Sequence, residues 1–245
     1  MATVRDVALP LATMCTKVPA VGDDVCDRCH GCPHAGYHRC WSCRHVEGQL
    51  ALPCELVVPI SLSTVHGQLH YQLRSYKGPR ADMSWDFLVK TAALLGHFLQ
   101  VHGACVSAAA GGGWDIISSV PSSADRAGEH PLITAINLVR PLRDQHETLL
   151  GRGNAPITHT VASDQGYRPL RRLDGERVLL VDDTFTSGAR AQSAASALNI
   201  AGATVVAIVP IGRVISPDWS DQHASYWQRQ SKLAYDFDKC CVGNH

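Results

Sequence analysis

The sequence lacks an excess of charge of either sign: its 245 residues contain 22 Lys and Arg against 22 Asp and Glu, and its pI is near 7.2. Because domains dedicated to nucleic-acid binding usually have a pI above about 9, direct binding of nucleic acid is not expected. No unbroken apolar run approaches the roughly 18 residues of a membrane span. The first residues do not resemble a signal peptide, since Asp6 and Pro10 interrupt a short apolar stretch. These absences predict a soluble, cytoplasmic protein with no membrane partner.

The cysteines are numerous and unevenly distributed. Of the ten in the chain, three lie beyond residue 100 and seven lie in the first 54 residues: Cys15, Cys26, Cys29, Cys32, Cys40, Cys43 and Cys54. Without a secreted context, a disulfide framework is not expected. Clustered thiols in a cytosolic chain more often bind a metal ion.

Two Cys-x2-Cys pairs, Cys26 with Cys29 and Cys40 with Cys43, are separated by ten residues. This spacing is typical of one tetrahedral Zn²⁺ site, and four thiolates leave no open position for water, so the ion would be structural. It would replace a hydrophobic core that this segment cannot build. An iron–sulfur cluster and other ligand sets stay open. The nearby alternatives are Cys15, Cys32, Cys54, His30, His34 and His38.

The composition changes near residue 55, from a segment rich in Cys, His and Gly to one with longer apolar patterns. We therefore predict a zinc-binding module over residues 1–55 and a larger domain over residues 56–245. Apolar periodicity in the larger domain predicts a helix over 84–101, a buried strand over 114–120, a helix over 130–140 and a polar loop over 143–158.

A strand–loop–helix–strand pattern follows in the last third of the chain. An apolar run at Val178–Val181 precedes a polar loop at Asp182–Gly188 and an alanine-rich helix at Ala189–Ala201, which Gly202 would cap. The β-branched run Thr204–Ile211 comes next. This βαβ pattern predicts an α/β fold with a parallel sheet, in which ligands bind where strands end and helices begin.

The polar loop has the chemistry of a phosphate site. Its last amides begin a helix that cannot satisfy them internally, and Gly188 lets a ligand approach the backbone closely. Several hydrogen bonds to a charged phosphate, at about 1.5–3 kcal/mol each, would outweigh the helix dipole. Asp182 and Asp183 would not suit a simple anion site, but they suit a ligand that also has a vicinal diol or a divalent metal ion.

The segment Val178–Gly188 resembles the phosphoribosyl-pyrophosphate (PRPP) motif of type I phosphoribosyltransferases. The order of the Cys-rich module, Leu73–Gly78, the strand Ile116–Pro121 and this motif is similar to ComF-like proteins, which have a zinc module before a phosphoribosyltransferase domain. The resemblance implies a parallel sheet flanked by helices behind a small zinc-binding module. Arg126–His130 departs from the family's usual segment after the Val-Pro strand, so the second substrate is not indicated.

The resemblance also implies residue roles. Asp182 and Asp183 would hold the ribose hydroxyls as the catalytic pair. The 5′-phosphate would bind at Thr184, Phe185, Thr186, Ser187 and Gly188. Pyrophosphate would bind at Ser122, Ser123, Arg126 and Lys77. Mg²⁺ would accompany PRPP.

The implied reaction is the transfer of phosphoribose to a small nitrogen-containing acceptor, a nucleobase or an amine, with release of pyrophosphate. The alternative is a non-catalytic ComF-like protein that acts in DNA uptake or nucleotide sensing. A homodimer is left open. The transferase hypothesis requires that the loop be open and that its carboxylates not be turned away into ion pairs.

Overall fold

A parallel four-stranded sheet lies at the centre of the structure, a computed structural model that describes residues 3–77, 81–122 and 129–243. The strands in these residues are β1 (Ser61–Thr64), β2 (Ile116–Ser119), β3 (Leu150–Arg152), β4 (Tyr167–Pro169), β5 (Arg177–Phe185) and β6 (Thr204–Ile215). The sheet order is β1-β6-β5-β2, and every neighbouring pair is parallel. The α/β class predicted from the sequence is confirmed.

Helices cover the sheet. In the same described residues they are α1 (Val4–Ala8), α2 (Trp41–Glu47), α3 (Gln68–Ser75), α4 (Ala81–Ala109), α5 (Pro131–Asn137), α6 (Arg140–Arg143), α7 (Ala189–Ile200) and α8 (Asp221–Gln230). Short 3-10 turns occupy Leu9–Met14 and Pro217–Trp219. The last helix adds to the core, since Tyr226 is fully buried.

The predicted β5–α7–β6 unit is confirmed, but β5 is longer than the apolar run. It continues through both acidic residues to Phe185 because Thr184 and Phe185 still pair with Gly212 and Arg213 of β6. Gly202 ends the unit's helix with a φ of 101°, as a glycine cap predicts. The extension of β5 decides where the two carboxylates point.

Two other expectations were wrong in their bounds. The stretch 143–158 is not only a loop, because Leu150–Arg152 forms β3 and pairs antiparallel with β4. The helix expected over 130–140 ends at Asn137, and a separate turn follows with Pro141 near its start. Proline removes a backbone N–H donor, so one helix cannot continue through it.

Helix α4 is the longest element and extends beyond the predicted 84–101. Its segment Trp85–Ala109 is long and apolar enough to cross a membrane by length and composition, and 56% of its 18-residue apolar stretch is buried inside the structure. A core helix has the same composition. Gly96 of this helix contacts Val4 of α1 and Val139, where an added Cβ would lie 3.2 Å and 3.0 Å from their side chains. The N-terminal helix therefore packs directly on the larger part of the chain.

Candidate functional site

The loop between β5 and α7 has a backbone that only glycine fits. Gly188 lies in the left-handed region with a φ of 89°, and a Cβ added there would be 2.3 Å from the Phe185 ring. Gly188 has no side chain to cap α7, and the Ser187 hydroxyl accepts a hydrogen bond from the Ala189 N–H at 3.3 Å. The loop therefore closes tightly and leaves further N–H groups of the first turn of α7 for a ligand.

The loop borders a cavity that Asp182, His159 and Arg190 also line. A carboxylate, an arginine and the start of a helix therefore face one space. A sugar phosphate combines a diol with an anion, and this set of groups matches both.

The two adjacent carboxylates have different surroundings. Successive side chains of a strand point to opposite faces, and β5 includes both residues. Asp182 is half-buried and lines the loop cavity, and its Oδ1 accepts a hydrogen bond from the Asp183 N–H at 2.9 Å. Asp183 is buried, accepts a hydrogen bond from Tyr76 Oη at 2.5 Å and forms an ion pair with Lys77. The transferase hypothesis requires carboxylates that are accessible and not held in ion pairs, and of the two only Asp182 meets this requirement in this structure.

The environments move the two carboxyl pKa values in opposite directions. Burial and the neighbouring Asp183 charge raise the pKa of Asp182 to about 8. Burial alone would raise the pKa of Asp183, but the charge and hydrogen bond of Lys77 and the hydrogen bond of Tyr76 outweigh it, so the net shift is downward. The pair therefore resists carrying two negative charges until a cation or a donor enters the cavity.

Asp182→Asn is expected to stabilise the protein as the pH rises from about 4 to about 8. The folded-state pKa of Asp182 lies above its ordinary value of 3.8, so between these values unfolding releases a proton and stability falls with rising pH. Asparagine removes that cost. Thermal unfolding of both proteins across this pH range measures the effect. Equal pH slopes would contradict the inferred environment of Asp182.

A second concave region adjoins the loop cavity at the end of β2. Ser122 follows this strand and lines an open space with Arg152, Tyr167 and Arg190. Arg190 also lines the loop cavity, so the two spaces lie on either side of this residue. Of the other residues predicted to bind pyrophosphate, Lys77 lies at Asp183, whereas Ser123 and Arg126 lie outside the described residues.

The structure brings together the four cysteines of the two Cys-x2-Cys pairs. The sulfur atoms of Cys26, Cys29, Cys40 and Cys43 lie within 4.8 Å of one another, and all four residues are buried. The sulfurs of Cys29 and Cys40 are 3.8 Å apart. Tetrahedral Zn–S bonds of about 2.3 Å place sulfur atoms about 3.8 Å apart. The cluster could therefore hold a metal ion such as zinc.

The other N-terminal thiols lie outside this cluster. Cys32 Sγ donates to the Pro33 carbonyl at 3.4 Å, and burial raises the pKa of Cys32 to about 11. Burial also raises the pKa of Cys54 to about 11 and that of Cys15 to about 12. His30 has a ring nitrogen 2.9 Å from the Pro19 carbonyl. None of these residues belongs to the group of four clustered thiols.

Arg213 connects the cysteine cluster to the loop. Arg213 of β6 pairs with Phe185 of β5, and its side chain is buried. The guanidinium donates to the Thr186 carbonyl at 2.8 Å and also to the Val214 carbonyl. Its guanidinium lies 5.5 Å from the centre of the Phe185 ring. Burial alone would lower the pKa of Arg213. The negative charges of Cys29, Cys40 and Cys43 outweigh burial, so the net shift of this pKa is upward. The negative charge of the cluster therefore offsets part of the cost of burying a cation beneath the loop.

Sequence reasoning missed several residues around the loop. Tyr76 stands beside the predicted Lys77, Arg152 lies in the stretch expected to be a polar loop, and His159 directly follows that stretch. Arg190 could have been found, because it occupies the first turn of the predicted phosphate-binding helix. The other three depend on contacts between distant parts of the chain.

Neither the family models nor the curated proteins compared with this chain include a match to it. The structure supports an α/β protein with a parallel sheet, flanking helices and a buried four-cysteine N-terminal cluster.

Proposed function

We propose that the protein is a ComF-like phosphoribosyltransferase that uses PRPP and Mg²⁺ and transfers phosphoribose to a nucleobase or amine nitrogen, releasing pyrophosphate. The observation that carries the proposal is the shared cavity of Asp182, the left-handed Gly188 loop and the start of α7. These groups would bind opposite ends of one ribose 5-phosphate. The four-cysteine cluster would hold a structural Zn²⁺ behind the loop.

The 5′-phosphate would bind at Thr184–Gly188. All five residues line the cavity, with the helix start at one end of the loop. Backbone N–H groups there donate to anions, and each hydrogen bond to a charged group contributes about 1.5–3 kcal/mol. Arg190 would add a charged donor at the rim.

The ribose hydroxyls would donate to Asp182, the carboxylate that faces the cavity. Asp182 would supply a carboxylate oxygen to Mg²⁺, an ion that prefers carboxylate and substrate phosphate oxygens. When bound with PRPP, Mg²⁺ would neutralise charge on the departing pyrophosphate. Asp182 would orient the sugar, and no protein nucleophile is required because the chain acts by positioning and charge.

Pyrophosphate would lie between the loop cavity and the space lined by Ser122, Arg152 and Arg190. Lys77 pairs with Asp183 in this structure. We propose that Lys77 exchanges this carboxylate for the pyrophosphate when PRPP binds, which would release Asp183 toward the ribose. The arginines would stabilise the negative charge that grows on the leaving group.

A binding protein without catalysis is the second candidate, and the Asp183–Lys77 ion pair favours it. Lys77 and Asp183 neutralise each other in this ion pair, whereas phosphoribosyl transfer would require both side chains to contact the substrate. If the ion pair persists with ligand bound, the protein would sense PRPP or act in DNA uptake without turnover. Titration with PRPP and Mg²⁺, followed by pyrophosphate release with a panel of nucleobases and amines, separates the candidates. Release with one acceptor supports the enzyme, whereas binding without any release supports the second candidate.

Asp182→Asn is expected to weaken PRPP binding about 10- to 100-fold, which corresponds to the loss of charge-assisted hydrogen bonds. Isothermal titration in the presence of Mg²⁺ measures the change. Asp174→Asn is the matched control, because Asp174 is exposed in a turn away from the cavity lining. Equal affinities of the two variants would remove Asp182 from the binding site.

A further inference from the structure

A second group of metal-ligating side chains lies where the C-terminal segment meets α4. His102, Cys105 and Cys240 each place a ligand atom within 4.8 Å of the others. His102 and Cys105 are three residues apart on α4, and residues at this spacing share one helix face. His102 Nδ1 is 3.9 Å from Cys105 Sγ. The fold brings Cys240, near the C-terminal end of the sequence, next to this pair.

The imidazole of His102 is already oriented as a metal ligand. Its Nε2 lies 2.8 Å from the Phe237 carbonyl oxygen, which can only accept, so Nε2 carries the proton. Nδ1 then has the lone pair, and it is the nitrogen that faces Cys105. Metal-binding histidines commonly donate their other N–H to a backbone carbonyl, which sets the tautomer and the ring direction. His102 is 2% exposed, so its ring is held in place by packing.

The donor set and its exposure suit Zn²⁺. Two thiolates balance the charge of the ion, and a neutral imidazole adds none, so the bound group would be electrically neutral. Cys105 and Cys240 are both partly exposed, which gives an ion access from solvent. The adjacent Cys241 is buried and is not part of the group. Three protein ligands leave a fourth tetrahedral position for a solvent molecule.

The C-terminal segment is positioned by contacts that end beside this group. Tyr235 Oη donates to the Ile60 carbonyl at 3.2 Å, and the Phe237 ring lies 5.0 Å from the ring of His97 on α4. These contacts bring residues 235–240 along the helix. An ion at Cys240 would join the end of this segment to α4.

We propose that His102, Cys105 and Cys240 bind a second Zn²⁺ ion, separate from the four-cysteine cluster, that fastens the C-terminal segment to α4. Each thiol binds as a thiolate, so the bound ion displaces two protons to solvent. This inference does not depend on the proposed transferase activity. It predicts that the full-length chain binds two Zn²⁺ ions through independent ligand sets.

Zinc stoichiometry of the reduced, full-length protein tests the proposal. After incubation with Zn²⁺ and removal of excess ion, mass spectrometry of the metal is expected to give two zinc ions per chain. Cys105→Ser and Cys240→Ser should each retain one, and Cys241→Ser should retain two as the matched control. A single zinc ion in the unchanged protein, or two in both ligand variants, would overturn the proposal.

Thiol labelling of the unchanged protein provides a second measurement that requires no variant to fold. With Zn²⁺ bound, peptides containing Cys105 and Cys240 are expected to resist alkylation, and a chelator should make both reactive. Equal labelling before and after chelation would contradict zinc ligation. A Cys105–Cys240 disulfide that persists in reductant would contradict it as well.

Discussion

Cys29→Ser is expected to remove one zinc ion and to destabilise the fold of the segment that holds the four cysteines. Zinc-finger peptides gain about 10–16 kcal/mol from a structural Zn²⁺, which is as large as the entire stability of a typical domain. Cys29 is fully buried among the other three sulfurs, so serine leaves an incomplete ligand set in a buried site. Metal content and thermal unfolding measure both effects.

Cys32→Ser is the matched control for this substitution. Cys32 is three residues away and is 4% exposed, but it is not one of the four clustered thiols. It should keep the zinc ion and lose only the stability of one small buried side chain. Equal zinc content in the two variants would show that Cys29 is not a ligand.

Loss of the cluster should also weaken the loop, because Arg213 lies between them. Without the thiolates of Cys29 and its neighbours, the buried guanidinium loses the charges that favour it. Its hydrogen bond to the Thr186 carbonyl would then hold the loop less firmly. PRPP titration before chelation, after chelation and after zinc is restored is expected to show loss and recovery of affinity. Unchanged affinity in the metal-free protein would separate the two sites.

Gly188→Ala is expected to destabilise the protein and to change the shape of the loop between β5 and α7. A left-handed backbone costs about 1–2 kcal/mol for a residue with a Cβ. Here the added Cβ would also lie 2.3 Å from the Phe185 ring, and such overpacking costs about 1–3 kcal/mol more. Denaturant unfolding and PRPP titration should both show a loss.

Gly175→Ala separates the two causes. Gly175 has a φ of 87°, close to that of Gly188, but an added Cβ meets nothing within 4 Å. The free energy of unfolding of Gly175→Ala should fall by only about 1–2 kcal/mol, and the variant should keep its affinity for PRPP. Phe185→Leu combined with Gly188→Ala should recover part of the steric cost, which a double-mutant cycle would measure. Equal costs for the two alanine variants would contradict the steric role of Phe185.

The sequence by itself determined the features that depend on local pattern. Apolar runs on either side of an alanine-rich helix predicted the parallel β5–α7–β6 unit, because the side-chain periods of strands and helices involve residues that are close in sequence. Cysteine spacing predicted the four-cysteine cluster, since each Cys-x2-Cys pair brings its two thiols together within one local turn. The glycine positions also followed from local sequence, because Gly188 and Gly202 both require a left-handed backbone.

Only the tertiary structure decided how these features are joined. The pairing of β5 with β6 extended the strand through Asp182 and Asp183, and the two-residue period of a strand then sent one carboxylate to the cavity and the other to Lys77. The same pairing placed Arg213 between the cysteine cluster and the loop. The Cys240 contact with α4 likewise depends on folding, because residues far apart in sequence meet only when the core that separates them has packed.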